Sequence, residues 1–144
     1  MKVYISGPIT GYEEGNRPAF DLAKKALAAQ GYEVITPMED ETPEQTAAQA
    51  AEGYGQIYWN LIAKDVLALS KAEGIVFLWK WEQSRGARLE AYIGLLHGKP
   101  MWQIEGILDT GEVQLAELTH PYVAGVCAAQ WADKEMLKRI GLAA

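Results

Sequence analysis

At 144 residues the chain is one domain's worth of polypeptide, enough to bury roughly two thirds of the surface that its unfolded form exposes. Its 49% hydrophobic and 22% charged residues place it with ordinary globular proteins and exclude a disordered chain. A net charge of −6 argues against duplex nucleic acid as a partner, because that needs a basic face, but allows a small anionic ligand held by a local cluster of donors.

Residues 2–6 make a short β-rich run closed by Gly7 and Pro8. Over 18–30 the apolar residues Phe20, Ala23, Leu27 and Ala28 fall at helical spacing, and Gly31 follows as a stop. Pro18 sits in the first turn, where its missing N–H does no harm. Residues 32–36 read as a second strand ended by Pro37. The stretch 39–53 is acidic and rich in Ala, Gln and Thr, and reads as a solvated loop in preference to a mobile lid. A second helix is expected over 56–70, a buried strand over 74–79, and a third helix over 86–97 with Gly98 beyond its end. Residues 100–104 make a fourth strand with proline at its start, where strands tolerate it. After Glu105 the periodicity weakens until 133–140, where Met136, Leu137 and Ile140 suggest a short amphipathic helix. No repeats appear, and 1–144 reads as a single domain.

Strands alternating with helices imply right-handed crossovers. The expected class is therefore α/β, a doubly wound parallel sheet of four to five strands with helices on both faces. In such a sheet a ligand lies beyond the carboxyl ends of the strands, where the strand order reverses. That directs attention to loops 7–15 and 80–85. No apolar run approaches the ~20 residues of a membrane span, and the first strand begins without a charged-then-apolar leader. Cys127 is the one cysteine, so no disulfide can form within the chain. A soluble cytoplasmic protein with no membrane association is the expectation.

The loop Gly7, Pro8, Ile9, Thr10, Gly11 lets the backbone turn sharply and approach a ligand, although a plain tight turn explains it equally well. It is neither a P-loop nor a dinucleotide fingerprint. Glu90 carries more information. Helical geometry places it opposite Arg88, which with Tyr92 marks the solvent side, and among Gly86, Ala87, Ile93 and Gly94. A carboxylate on that small, apolar face needs partners or a task. The nearby helix N-terminus favours its ionised form. Asp65 is the same anomaly on the second helix, with Tyr58, Leu61, Ile62 and Leu69 on its side and Asn60, Lys64 and Lys71 on the other. Two inward-facing acids are the usual equipment of glycoside chemistry. The alternative for either is a buried acid that caps a loop or pairs with an arginine.

Tyr4 reads by default as a core tyrosine, whose phenol can also reach a carboxylate at the strand's end. Of the two tryptophans at the third strand's exit, Trp79 suits core or rim packing and Trp81 is the better candidate to stack on a base. Ser84, Arg85 and Gly86 open the third helix and can seat a phosphate or ribose, with a plain surface charge as the alternative for Arg85. His97 and His120 lack partners at metal-ligand spacing, so neither a metal nor another cofactor is expected. Cys127 has no thiolate-activating neighbour in sequence, and no Gly-x-Ser-x-Gly nucleophile motif occurs.

Three pieces in order then resemble a known family: Tyr4-Ile5-Ser6-Gly7-Pro8-Ile9-Thr10-Gly11, Asp65 eight residues before Glu73 at the next strand, and Ser84-x-Gly86-x-x-x-Glu90. Over roughly residues 1–104 the chain is similar to the nucleoside 2-deoxyribosyltransferase superfamily, nearest to the 2'-deoxynucleoside 5'-phosphate N-hydrolases and their uncharacterised phage and bacterial relatives. The resemblance implies a flavodoxin-like sheet and a covalent mechanism. In it Glu90 is the nucleophile on the anomeric carbon, Asp65 supports proton transfer and positioning, and Tyr4 contacts the nucleophile. The loop Gly7 to Gly11, with Ser84 and Gly86, holds sugar and phosphate. It further implies a homo-oligomer whose sites borrow residues from a neighbour. Pro8 and Thr10 stand where the phosphate hydrolases carry Ser and Arg, which removes a charged donor that Arg17, Arg85 or a neighbouring subunit can replace. The expected activity is cleavage of the N-glycosidic bond of a 2'-deoxynucleoside or nucleotide, by hydrolysis or base transfer. The alternatives are a non-catalytic nucleotide-binding sensor or sponge, and a partner-binding α/β domain.

Overall fold

In the computed structural model, which describes residues 1–39, 42, 44–45 and 56–129, strands and helices alternate from the start of the chain. β1 (Lys2–Ser6) leads through α1 (Arg17–Ala29) to β2 (Glu33–Ile35), and α2 (Gln56–Ser70) follows. Next come β3 (Gly74–Phe77), α3 (Arg85–Leu96) and β4 (Met101–Ile107), then β5 (Val113–Glu117) and α4 (His120–Ala129). The order across the sheet is β2-β1-β3-β4-β5. The first three pairings are parallel and β4–β5 is antiparallel. This is the expected α/β class, with a flavodoxin-like order for the parallel strands. The chain leaves β1 toward one side and returns to the other, so the strand order reverses between β1 and β3.

Side chains alternate along a strand, and that divides the interior in two. Val3 and Ile5 of β1 join Val76, Leu78 and Ile104 on one face, beneath Phe20, Ala23 and Leu27 of α1. Tyr4 joins Ile75, Phe77 and Met101 on the other, with Leu69 of α2, Ala87 and Ala91 of α3 and Val123 of α4. Helices therefore cover both faces. β1 and β3 are apolar along nearly their whole length because both sides of a central parallel strand are buried.

Two elements depart from the sequence-based expectation. β5 pairs antiparallel through the short hairpin 108–112, in which Leu108 N donates to Glu112 O at 2.8 Å and Gly111 takes the left-handed φ of +88°. A two-strand hairpin needs no crossover helix, so the sheet is not wholly parallel. α4 was not anticipated either, since its sequence has little polar punctuation to show a period. The helix expected over 133–140, and most of 39–53, lie outside the described residues.

The edge that holds the loops is tightly drawn. Leu78 N donates to Ser6 O at 2.8 Å, tying the exit of β3 to the end of β1. A Cβ on Gly7 would stand 2.8 Å from Leu78 Cβ, so only glycine lets the strand ends approach this closely. Gly7→Ala is expected to destabilise the fold by about 1–3 kcal/mol, measured as a lower urea midpoint with an unchanged slope.

Candidate active site

The end of β1 carries the first part of the site. Ser6 stands two residues beyond Tyr4, so both side chains point to the face covered by α2 and α3. Both residues are fully buried. The Ser6 hydroxyl donates to Glu90 Oε1 at 2.9 Å across 84 positions of sequence. Glu90 Oε2, also buried, has no hydrogen bond of ordinary geometry among the described residues.

Helix α3 brings Glu90 to this point because its start is defined. A turn at Trp81–Gln83 precedes it, and Ser84 caps the first turn by accepting from Ala87 N at 3.2 Å. Capping fixes the phase of the helix, which turns Ala87, Glu90, Ala91 and Gly94 inward.

Burial pushes the Glu90 carboxyl up from 4.5 to about 7, against the opposing effect of the Tyr4 and Ser6 hydroxyls, which favour the charged form. The expectation that the helix dipole keeps Glu90 ionised is thus overturned by desolvation. The reason is position: Glu90 lies in the second turn of α3, where the dipole has largely faded.

Asp65 approaches from α2 and is as buried as Glu90, each being 5% exposed. The two helices follow successive crossovers on one face of the sheet and so run parallel. A Cβ on Gly86 would stand 4.0 Å from Ile62 Cδ1, which sets these residues opposite one another. Asp65 lies one turn beyond Ile62 and Glu90 one turn beyond Gly86, and both acids are buried. Ser84 Oγ would stand at the same 4.0 Å from that Gly86 Cβ, an ordinary van der Waals contact, so the backbone at Gly86 has room for a methyl group one turn above Glu90.

The first loop leaves the same edge. Pro8 is buried and its carbonyl accepts from Asn16 Nδ2 at 2.9 Å, while Ile9 is half-buried and Thr10 and Gly11 are exposed. Glu14, Gly15 and Asn16 take left-handed conformations before α1 begins at Arg17. The loop, Ser84 and Gly86 thus border the end of β1 and the start of α3.

Trp81 does not present an open face. It is 1% exposed, packs on Phe77 with centroids 4.4 Å apart, and donates from Nε1 to Gln103 Oε1 at 3.3 Å. Trp79 is the exposed member of the pair, at 42%. Arg88 is also corrected: it is buried, not on the solvent side, because α4 packs over that flank of α3, where Cys127 Sγ lies 3.6 Å from Arg88 O. Tyr92 is exposed as expected. Burial raises the Cys127 thiol pKa, with the Arg88 charge opposing. His97 ends α3 at the far edge of the sheet, and His120 Nε2 meets Lys99 O at 3.2 Å. Ser6 is the contributor that composition and spacing did not expose; its signal was the two-residue step from Tyr4.

The arrangement offers a desolvated carboxylate with one oxygen held, beside a phenol and within a layer containing a second acid. Such a group can act as a nucleophile when ionised or as a proton carrier. It also weakens the fold. The folded-state pKa of Glu90 lies above its unfolded value, so its contribution is most favourable below about pH 4.5 and is lost as pH rises through about 7. Glu90→Gln removes that loss. The variant is expected to gain stability relative to the wild type between pH 5 and 8, on the order of 2–3 kcal/mol, read from urea unfolding at each pH.

Among curated proteins none matches the chain. A family model described as a domain of unknown function matches residues 1–102, which takes in Tyr4, Ser6, Asp65, Ser84, Gly86 and Glu90 and leaves β5 and α4 outside. The chain therefore belongs to the DUF4406 family, a domain of unknown function.

Proposed function

We propose that the protein cleaves the N-glycosidic bond of a 2'-deoxynucleoside or its 5'-phosphate, by hydrolysis or base transfer, with Glu90 as nucleophile. The observation that carries this reading is the buried Glu90 carboxylate, held at Oε1 by Ser6 and raised to a pKa of about 7 at the ligand edge of a doubly wound sheet. The resemblance to nucleoside 2-deoxyribosyltransferases supports it through the same residues.

In the proposed sequence, Glu90 Oε2 bonds to the anomeric carbon as the bond from that carbon to the base nitrogen breaks. The base leaves with the electron pair and takes a proton from Asp65. A water, or the nitrogen of a second base, then attacks the anomeric carbon, gives its proton to Asp65 and releases the Glu90 carboxylate. An oxocarbenium-like charge develops at each step, and the adjacent carboxylate stabilises it. Tyr4 steadies Glu90. The loop Gly7 to Gly11, with Ser84 and Gly86, holds sugar and phosphate.

The test is a panel of 2'-deoxynucleosides and their 5'-monophosphates, with free base measured by chromatography. Wild-type protein is expected to release base, with kcat/KM rising through about pH 7 as Glu90 ionises. Glu90→Ala and Glu90→Gln are expected to lose about 10³-fold or more. Release at the wild-type rate in both variants rejects the assignment. Tight binding of a nucleotide that is recovered unchanged supports a sensor instead.

The proposal extends to a homo-oligomer. Trp59 and Leu67 of α2 and Tyr92 and Leu96 of α3 are exposed large apolar side chains on neighbouring helices of one face, the kind of surface that association covers. Light scattering coupled to gel filtration is expected to give a mass at least twice that of the chain, and lower in Leu67→Glu/Leu96→Glu. A monomer at all concentrations rejects this.

A further inference from the structure

We infer that Ser6 is a positioning residue for Glu90: its buried hydroxyl fixes Oε1 and so presents Oε2 as the attacking oxygen. This rests on the reading of Glu90 as a nucleophile. A carboxylate has two equivalent oxygens and can rotate about its last torsion, a broad and soft coordinate. Two features of the structure remove that freedom. Ser6 is fully buried at the end of a central strand, with its backbone carbonyl tied to Leu78 N at 2.8 Å, so its Oγ is carried by a rigid element. The 2.9 Å bond from Oγ reaches Oε1, and among the described residues Oγ donates to no other acceptor.

The same bond has a chemical consequence. When Oε2 bonds to the anomeric carbon, Oε1 becomes the carbonyl oxygen of a neutral ester. The Ser6 proton stays on Oγ throughout, but its acceptor passes from an anion to a carbonyl. Hydrogen bonds to charged acceptors are the stronger kind, so Ser6 favours the free carboxylate over both the protonated acid and the ester. It thus keeps more of Glu90 ionised near neutral pH, at some cost to the intrinsic reactivity of the ionised form. Among the described residues, the other titratable groups on elements packed around Glu90 are the Tyr4 phenol of β1 and the Asp65 carboxyl of α2. On its own helix, Arg88 lies toward α4 and Cys127, and Arg85 opens the first turn. All of these stay in place when Ser6 is changed.

Titration of Glu90 by carbon NMR of labelled glutamate carboxyls, assigned by comparison with Glu90→Gln, tests this without turnover. In the wild type the midpoint is expected near 7. In Ser6→Ala and in the near-isosteric Ser6→Cys it is expected to rise by about one unit, while Ser6→Thr, which keeps the hydroxyl, stays within a few tenths of the wild type. The acidic limb of kcat/KM for base release is expected to move by the same amount. An unchanged midpoint in both Ser6→Ala and Ser6→Cys overturns the inference. If the midpoint moves but the wild type releases no base from any substrate, Ser6 does hold Glu90 and the nucleophile reading is what fails. If base is released and the midpoint does not move, the nucleophile stands and Ser6 has no positioning role.

Discussion

The single hydrogen bond from Ser6 to Glu90 joins the centre of the sheet to the helix that follows β3, and much of the architecture is arranged around it. A carboxyl taken out of water is costly unless donors are waiting for it. Here the donors come from a strand that packing on both faces has already made rigid. For the bond to form, β1 must end beside β3, and Gly7 permits that. α3 must also begin in a set rotational phase, which the Ser84 cap provides. Local features far apart in sequence thus converge on a single atom pair.

The two faces of the sheet divide the labour. On the α1 side the apolar cluster includes Met38, whose amide donates to the buried Thr36 hydroxyl at 3.2 Å, and none of its described residues is a buried acid. The α2–α3 side buries Ser6, Asp65 and Glu90 among its apolar residues. That layer carries polar groups which an optimally stable interior would omit, as is general for functional sites held above a stability threshold. The family match ends at residue 102, just inside β4. The shared portion therefore contains the acids and their supports, while β5 and α4 enclose the flank.

Much of this was legible in the residues. Continuous apolar runs at β1 and β3 marked buried central strands, and helical spacing turned Glu90 and Asp65 inward, where both are found. What escaped had physical causes. Arg88 was placed toward solvent because a helical wheel allows for one packing partner, whereas α3 has the sheet on one side and α4 on another. α4 itself is rich in small and apolar residues and shows no polar face to betray its period. Trp79 and Trp81 follow the last strand residue, where period-two alternation no longer applies, and the turn at Lys80 leaves Trp79 exposed and Trp81 buried. Ser6 was hidden by its chemistry: a serine before Gly-Pro looks like part of a turn, and only its alternation with Tyr4 showed that it shared the carboxylate's face. β5 did carry a readable alternation, Val113-Gln114-Leu115-Ala116-Glu117 after a turn containing Gly111, which a search for helix-linked parallel strands passes over.

The antiparallel last strand also determines how the sheet meets other molecules. Open sheets end in unpaired amides and carbonyls that can template aggregation with a neighbouring chain. At one border β2 offers only three residues, too few to recruit a stranger. At the other, β5 carries an irregular register between Ile104 and Gly106 on its partner, the side chain of Gln30 occupies the amide of Val113, and Glu112 and Glu117 stand at its two ends. An irregular, partly occupied and negatively charged margin is a poor template for edge-to-edge stacking, which is how edge strands are commonly kept from fibrous self-association.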